Sequence, residues 1–196
     1  METQQIKLTD PTTLGLFGLA LTTLVASSQK LGITDGLCLL LPWALFLGGI
    51  AQLIASMFDF KHNNLFGATA FAAYGLFWIG MGMTWLIRMG GFGEELAASA
   101  DTRQLGFVFI GYLFLTIVFT ISGLKMSKVM FSLLLLICIL FLTLAIEAFS
   151  GSYFWKMGAA YSELAISLVT FYALAAKYLN SFFGKEILCV GKPILQ

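Results

Sequence analysis

The chain has 196 residues, of which 59% are hydrophobic and 11% are charged, whereas charged residues make up about 25% of an ordinary soluble domain. This composition predicts a membrane protein, with lipid as its surroundings. The formal net charge of +1 provides no basic field for nucleic acid, and we expect no nucleic-acid partner.

Six stretches are apolar and long enough to cross a bilayer, which takes about 20 helical residues. They are 14–31, 37–60, 66–89, 104–124, 131–149 and 157–178. Short connections predict antiparallel neighbours, and one longer glycine-rich loop at 90–103 is expected to face water. The expected fold class is therefore all-α, a polytopic membrane protein whose six transmembrane helices surround a path through each protomer. The transport domain would span 14–178, with cytoplasmic tails at 1–13 and 179–196.

The distribution of Lys and Arg predicts the orientation. Seven of these residues fall on the side of the N-terminus and four on the other, which favours a cytoplasmic location for both termini. The seven are Lys7, Lys61, Lys125, Lys128, Lys177, Lys185 and Lys192, and the four are Lys30, Arg88, Arg103 and Lys156.

Four of the predicted helices carry small or polar residues at steps of three and four, so each set forms a stripe on one helix face. Close helix packing through small residues explains any one stripe. Four stripes together favour a polar path, because polar groups persist in hydrocarbon where they face protein or water. The stripes include Thr22, Gln52, Tyr74, Trp78, Glu163 and Thr170.

Five residues on separate helices share one depth, roughly 8–12 Å from the cytoplasmic helix ends at about 1.5 Å per residue. They are Leu19, Gln52, Tyr74, Ile137 and Thr170. A pore needs such a level, with a narrow neck and donors that replace lost hydration. We expect the bulky side chains of Leu19, Tyr74 and Ile137 to form the neck. Gln52 and Thr170 are expected to donate hydrogen bonds to the solute there.

Three stretches, "LGLFGLALTTL", "GGIAQLIASMFDF" and "NLFGATAFAAYGLFW", resemble the acetate uptake transporter family. That family includes the bacterial succinate–acetate permease and fungal acetate and ammonia-export proteins. The likeness spans about residues 10–184, and the third stretch is its most specific part. The resemblance implies a homohexamer in the plasma membrane with one route for small monocarboxylates through each protomer. It also implies a hydrophobic constriction at Leu19, Tyr74 and Ile137 and a polar contact at Gln52.

The sequence departs from the family pattern near this constriction. In the family, the segment before the first helix usually reads Asn-Pro-Ala-Pro, whereas here it is Asp-Pro-Thr-Thr, beginning at Asp10. One proline that would stiffen the start of the helix is therefore missing. Leu19 stands where phenylalanine is frequent, Ile137 where leucine is common, and Thr170 at an alanine position. These changes alter the size or polarity of the neck, so the preferred acid among acetate, succinate and lactate stays open.

The mechanism follows from the cost of dehydrating a carboxylate. Acetate is mostly ionised at neutral pH, since carboxyl pKa values are roughly 4, and a bare carboxylate is very costly in hydrocarbon. We expect passive or proton-assisted conduction of acetate and related small monocarboxylates along a polar track with one apolar neck. Succinate is a further candidate substrate. The substrate-binding candidates are Gln52, Thr22, Thr23, Thr170, Asn63 and Asn64, with the Tyr74 phenol and Trp78 beside them.

Two glutamates near the outer helix ends, Glu147 and Glu163, have three interpretations. They lie at helix ends in contact with water or headgroups, they relay protons, or they belong to a subunit interface. Two carboxylates in one vestibule would repel an anion unless one is protonated or paired with Lys156.

Other function classes have weaker sequence support. An intramembrane enzyme would need a nucleophile with its base or clustered metal ligands at membrane depth, and we expect neither catalysis nor a metal or cofactor. A membrane scaffold would explain small-residue packing but not polar residues at one depth. The nearest alternative is a channel for small neutral solutes such as urea or ammonia.

Overall fold

The computed structural model describes residues 9–195, which contain helices and connecting segments and no strand. This confirms the all-α fold class. The first eight residues of the predicted N-terminal tail, Lys7 among them, lie outside the described residues. The described helices are α1 Thr12–Lys30, α2 Leu40–Lys61, α3 Leu65–Arg88, the short α4 Glu94–Ala98, α5 Arg103–Gly123, α6 Lys128–Ser150 and α7 Tyr153–Phe183.

Five helices, α2, α3, α5, α6 and α7, are long and apolar enough to cross a membrane. Helix α1 is 19 residues long and has polar residues at both ends, including its last four residues, Ser-Ser-Gln-Lys. Its place as a sixth membrane-spanning helix stays a prediction.

Helix α7 is longer than the sequence predicts. It has 31 residues, starting directly after Ser152 and ending at Gly184, which adopts a left-handed conformation with φ of 63°. The stretch 153–156, which looks like a loop by its aromatic and charged residues, is therefore the first turn of the helix. The helix continues past residue 178 because no glycine or proline interrupts it before Gly184.

The six long helices form a closed ring. Helix α1 packs between α2 and α7, α2 packs on α3, and α6 packs between α5 and α7. The ring closes between α3 and α5, where the Tyr112 hydroxyl donates to the carbonyl of Ala73 at 2.9 Å. Phe66 and Phe119 add an edge-to-face contact there, with ring centroids 5.4 Å apart. The interior of this ring is where a path through the protomer has to lie.

Helix α2 contains a π-helical segment, Trp43–Ala51, directly before Gln52. A π-helix hydrogen-bonds one residue further along the chain than an α-helix, so the segment rotates the following residues about the helix axis. The backbone of α1 approaches this segment closely, since a Cβ atom at Gly18 would overlap the carbonyl oxygen of Leu47. The segment and the glycine together set the direction in which Gln52 points.

The chain after α7 returns along the end of the ring where α1 begins and α7 ends. The carbonyl of Val190 accepts from the amide of Val129 at 3.1 Å, and the carbonyl of Leu124 accepts from Ile194 at 3.0 Å. The Asn180 side chain also donates to the carbonyl of Leu188 at 2.8 Å. The C-terminal segment is therefore docked against the α5–α6 connection.

Candidate transport path

Two cavities occupy opposite ends of the helix ring. The one at the end where α1 begins and α7 ends, here the terminal cavity, has a volume of about 500 Å³. The one at the end of loop 90–103, here the loop cavity, has a volume of about 370 Å³. The terminal cavity is lined by residues that include Asp10, Leu16, Asn64, Phe71, Met130, Lys177 and Asn180. The loop cavity is lined by residues that include Gln29, Lys30, Met81, Trp85, Arg88, Leu144, Glu147 and Lys156.

A buried layer separates the two cavities. Along α3 the terminal cavity reaches Phe71 and the loop cavity reaches Met81, and along α6 the corresponding limits are Met130 and Leu144. At a rise of about 1.5 Å per residue, the barrier between them is about 15–20 Å thick. Ile137 lies midway between the two limits on α6. A solute that crosses the protomer through both cavities has to pass this layer.

The three predicted neck residues lie inside this layer. Leu19, Tyr74 and Ile137 are 8%, 6% and 4% exposed, and they are not among the residues that line either cavity. Leu19 and Tyr74 each follow a lining residue of the terminal cavity by one helical turn. Phe141, one turn from Ile137, stacks on Tyr74 with ring centroids 6.3 Å apart. The layer is therefore closely packed by apolar and aromatic side chains at this point.

The Tyr74 hydroxyl has a fixed partner on the neighbouring helix α5. Its oxygen lies 2.9 Å from the hydroxyl oxygen of Thr116, and Thr116 itself donates to the carbonyl of Tyr112 at 2.7 Å. Since Thr116 has a single hydroxyl proton, Tyr74 is the donor of the shared hydrogen bond. The phenol oxygen consequently presents lone pairs to its surroundings, not a proton.

Gln52 is fully buried within the same part of the ring. A Cβ atom at Gly18 would lie 3.3 Å from Cγ of Gln52, and one at Gly75 would lie 3.3 Å from its Cβ. Gly18 directly precedes Leu19 and Gly75 directly follows Tyr74, so Gln52 packs beside two of the neck residues. Neither Nε2 nor Oε1 of Gln52 has a hydrogen-bond partner within the described structure. A buried primary amide with both ends unpartnered is uncommon and costly, so this amide is available for a ligand.

The three predicted threonines are buried but already donate hydrogen bonds. Thr23 donates to the carbonyl of Leu19 at 2.7 Å, and Thr170 donates to the carbonyl of Ile166 at 2.6 Å. Thr22 donates to the carbonyl of Trp43 at 3.3 Å. The bonds of Thr23 and Thr170 go to the preceding turn of their own helices, as is common for a threonine inside a helix, whereas the bond of Thr22 joins α1 to α2. Each hydroxyl would have to rotate before it could donate to a substrate.

Asn63, Asn64 and Trp78 take different positions. Asn64 lines the terminal cavity, where its side chain caps α3 by accepting from the amide of Gly67 at 3.2 Å and donates to Asp59 at 2.9 Å. Asn63 is exposed in the α2–α3 turn, with φ of 55°. Trp78 is buried inside the ring, one turn beyond Tyr74. Of these three, only Asn64 contacts a cavity.

The two glutamates lie in different settings. Glu147 is half-buried and lines the loop cavity, whereas Glu163 is almost fully buried and is not among its lining residues. The partner of Glu163 is Lys30, whose Nζ lies 2.7 Å from Oε2, and not Lys156. Lys156 lines the loop cavity instead.

The two cavities differ in charge. Three cationic side chains, Lys30, Arg88 and Lys156, and one carboxylate line the loop cavity. At the terminal cavity, Lys177 pairs with Asp10 at 2.6 Å. Partial burial would raise the pKa of Asp10, but hydrogen bonds from Lys177 and Thr12 outweigh it and lower the pKa to about 2. Asp10 is therefore ionised throughout the physiological pH range.

The partners of two side chains that matter for this geometry could not be predicted from the sequence. Thr116 is one of several hydroxyl residues on α5, and only the packing of α5 on α3 gives it Tyr74 as a partner. Lys30 stands 133 positions from Glu163, and only the antiparallel contact of α1 with α7 brings them together. The described residues contain no group of three or more His, Cys, Asp or Glu side chains that could hold a metal.

The chain is similar in sequence to a family of proteins and in structure to a solved structure. A family model described as the GPR1/FUN34/yaaH family matches residues 1–188. The succinate-acetate/proton symporter SatP of Escherichia coli is 31% identical over 189 residues, which cover 95% of this chain and 97% of the relative. Ammonia transport outward protein 2 of Saccharomyces cerevisiae is 33% identical over 149 residues, 74% of this chain and 52% of that protein. A solved structure of the bacterial acetate channel SatP superposes with a TM-score of 0.88 and 28% identity, covering 94% of this chain and all of the other.

Proposed function

Because this chain belongs to the GPR1/FUN34/yaaH family, we propose that it transports acetate and related small carboxylates, including succinate, across a membrane. The family resemblance of the three sequence stretches is confirmed. Its relatives are described as a symporter, a channel and an ammonia transport protein, and these descriptions support a role in transport.

One observation carries the proposal for the path. Two cavities enter the helix ring from opposite ends, and the apolar layer between them contains a buried amide without a hydrogen-bond partner. A protein built only for helix packing would fill this position with an apolar side chain, because an unsatisfied buried polar group costs about 1–3 kcal/mol. The two N–H groups of Gln52 suit a carboxylate, which accepts hydrogen bonds on both oxygens.

The proposed mechanism has three steps. The cationic lining of the loop cavity attracts the anion and raises its local concentration. The neck at Leu19, Tyr74 and Ile137 then admits a small acid without its hydration shell, while Gln52 supplies hydrogen bonds in place of water. The acid leaves through the terminal cavity. No Lys or Arg is among the buried side chains of residues 9–195, so passage through the neck itself does not require release from a cation.

Proton coupling is assigned to the loop-cavity end of the path, where Glu147 and Glu163 lie. A protonated glutamate there removes a negative charge that opposes the anion. Replacing the coupling residue, as Glu147→Gln or Glu163→Gln, is expected to abolish the pH dependence of acetate uptake. Retained pH dependence in both variants would exclude the two residues.

A channel for small neutral solutes is the second candidate, and the yeast relative described as an ammonia transport protein favours it. Uptake into proteoliposomes, measured against concentration for acetate, lactate and urea, separates the candidates. Saturable acetate uptake that exceeds urea uptake is expected. Urea flux without acetate flux would contradict the proposal.

The assembly is proposed to be a homohexamer in the plasma membrane, with both termini in the cytoplasm. The outer face of α5 supports a contact with lipid or a second protomer, since Phe107 and Phe114 on it are 70% and 71% exposed. The excess of Lys and Arg near the termini supports the orientation. Native mass spectrometry tests the protomer number. Labelling of single cysteines introduced at loop 90–103 and after Gly184 by an impermeant reagent tests the orientation.

A further inference from the structure

An ion pair with unequally exposed partners lies at the wall of the loop cavity. The Lys30 side chain is 20% exposed and lines the cavity, whereas the Glu163 side chain is 3% exposed and lies behind it. The Nζ–Oε2 distance of 2.7 Å corresponds to a short, charge-assisted hydrogen bond. The pair also joins α1 to α7, so the position of the ammonium is fixed by two helices.

An ammonium group has three N–H donors, and Glu163 occupies one of them. The Lys30 ammonium is partly exposed to the loop cavity, where Arg88 and Lys156 also line the wall. An anion in the cavity can therefore bond to Lys30 without breaking the contact with Glu163. Its affinity is lowered by the nearby carboxylate, which offsets most of the field of the ammonium.

We propose that Lys30 binds the carboxylate of the transported acid in the loop cavity, and that Glu163 is a positioning residue that keeps this site weak enough to release its anion. The proposal rests on the proposed function and adds the residue that captures the substrate before the neck. A fully unpaired ammonium in a partly buried site would hold a carboxylate too long for rapid transport. The counterion behind it makes binding short-lived while holding the ammonium in place.

The two partners are expected to have opposite effects on the KM for acetate in proteoliposomes at one fixed pH. Lys30→Met removes a charge-assisted hydrogen bond and is expected to raise KM about tenfold. Glu163→Gln leaves the ammonium without its counterion and is expected to lower KM about threefold to tenfold, with a lower Vmax. A purely structural ion pair would give lower amounts of folded protein in both variants and no opposite changes in KM.

Two further variants keep the test decisive if either single variant folds poorly. Lys30→Met/Glu163→Gln removes both charges, so no unpaired buried charge remains, and its KM is expected to stay about tenfold raised. Lys156→Met removes a cation of the same cavity that is not paired with Glu163, and a shift below threefold is expected. A wild-type KM in the double variant, or a raised KM in Glu163→Gln, would overturn the proposal. An equal effect of Lys156→Met would also overturn it, because a general positive field would then explain the capture.

A binding measurement separates this proposal from the proposed function. Saturation-transfer NMR on the purified protein with acetate reports binding without transport. Binding that disappears in the double variant supports the Lys30 site even if the wild type transports no acetate, an outcome that would refute the function alone. Binding that is unchanged in the double variant refutes the site even if uptake is normal.

Discussion

Replacing Gln52 with methionine should stabilise the protein and impair transport. The side chain of Met is about as long as that of Gln and has the same straight Cβ–Cγ stem, so its packing on Gly18 and Gly75 is kept. It has no N–H donors. Gln52 is fully buried with both polar ends unpartnered, and we count the amide as one unsatisfied buried polar group, which costs about 1–3 kcal/mol. Gln52→Met is therefore expected to stabilise the fold by about 1–3 kcal/mol. Loss of one charge-assisted hydrogen bond to the carboxylate, about 1.5–3 kcal/mol, should slow acetate transport about tenfold to a hundredfold.

The assay combines a thermal melt of the purified protein in detergent with acetate uptake into proteoliposomes. Ser167→Ala is the matched control for the melt, since Ser167 is equally buried but donates to the carbonyl of Ala20 at 2.8 Å. Its melting temperature is expected to fall, whereas that of Gln52→Met is expected to rise. A lower melting temperature for Gln52→Met, together with normal uptake, would refute the reasoning, because the amide would then have a structural partner and no role in transport.

Three further predictions follow from the same geometry. Leu19→Ala and Ile137→Ala widen the neck and should admit lactate and larger acids; unchanged selectivity in competition assays with both variants would remove these residues from the neck. Tyr74→Phe removes one buried hydrogen bond and should destabilise the protein by about 0.5–1.5 kcal/mol, measured as a lower melting temperature; an unchanged melt would contradict the bond. Because the pKa of Asp10 is lowered to about 2, its stabilising ion pair with Lys177 is complete above about pH 4 and is lost as the pH falls toward 2. Asp10→Asn should consequently leave the pH dependence of uptake between pH 5 and 7 unchanged, and an altered profile there would show that Asp10 titrates in that range.

Helical periodicity and hydropathy predicted the helix positions and the inward faces of the ring. The stripes on α1, α2, α3 and α7 are spaced by three and four residues, and such spacing decides which side chains face other helices. Gln52 and Thr170 were expected inside for this reason, and both are fully buried. The resemblance to a family added the expected substrate class, which periodicity alone does not contain.

Hydrogen-bond directions and long-range partners could not be predicted in the same way. The hydroxyls of Thr23 and Thr170 were expected to face the substrate as donors, but they donate to the preceding turn of their own helices. The choice between backbone and substrate depends on a side-chain rotamer that the residue type does not determine. The pairing of Lys30 with Glu163 depends on which helices are neighbours across the ring, and the sequence order does not specify this.

The π-helical segment of α2 was also absent from the prediction, since hydropathy does not distinguish a π-helix from an α-helix. It changes the direction of every residue that follows, Gln52 first among them. The burial of Gln52 therefore depends on a local backbone feature as well as on the spacing of polar residues.

The central claim is that the substrate crosses the buried layer between the two cavities. It is tested most directly by Ile137→Cys in a background without Cys38, Cys138 and Cys189, treated with a small anionic methanethiosulfonate during acetate uptake. The account predicts that the reagent blocks uptake and that acetate slows the block, while Ile139→Cys, on the outer face of the same helix, keeps full transport under the same treatment. Modification of Ile137→Cys with full acetate uptake would contradict the account, because the acid would then cross elsewhere.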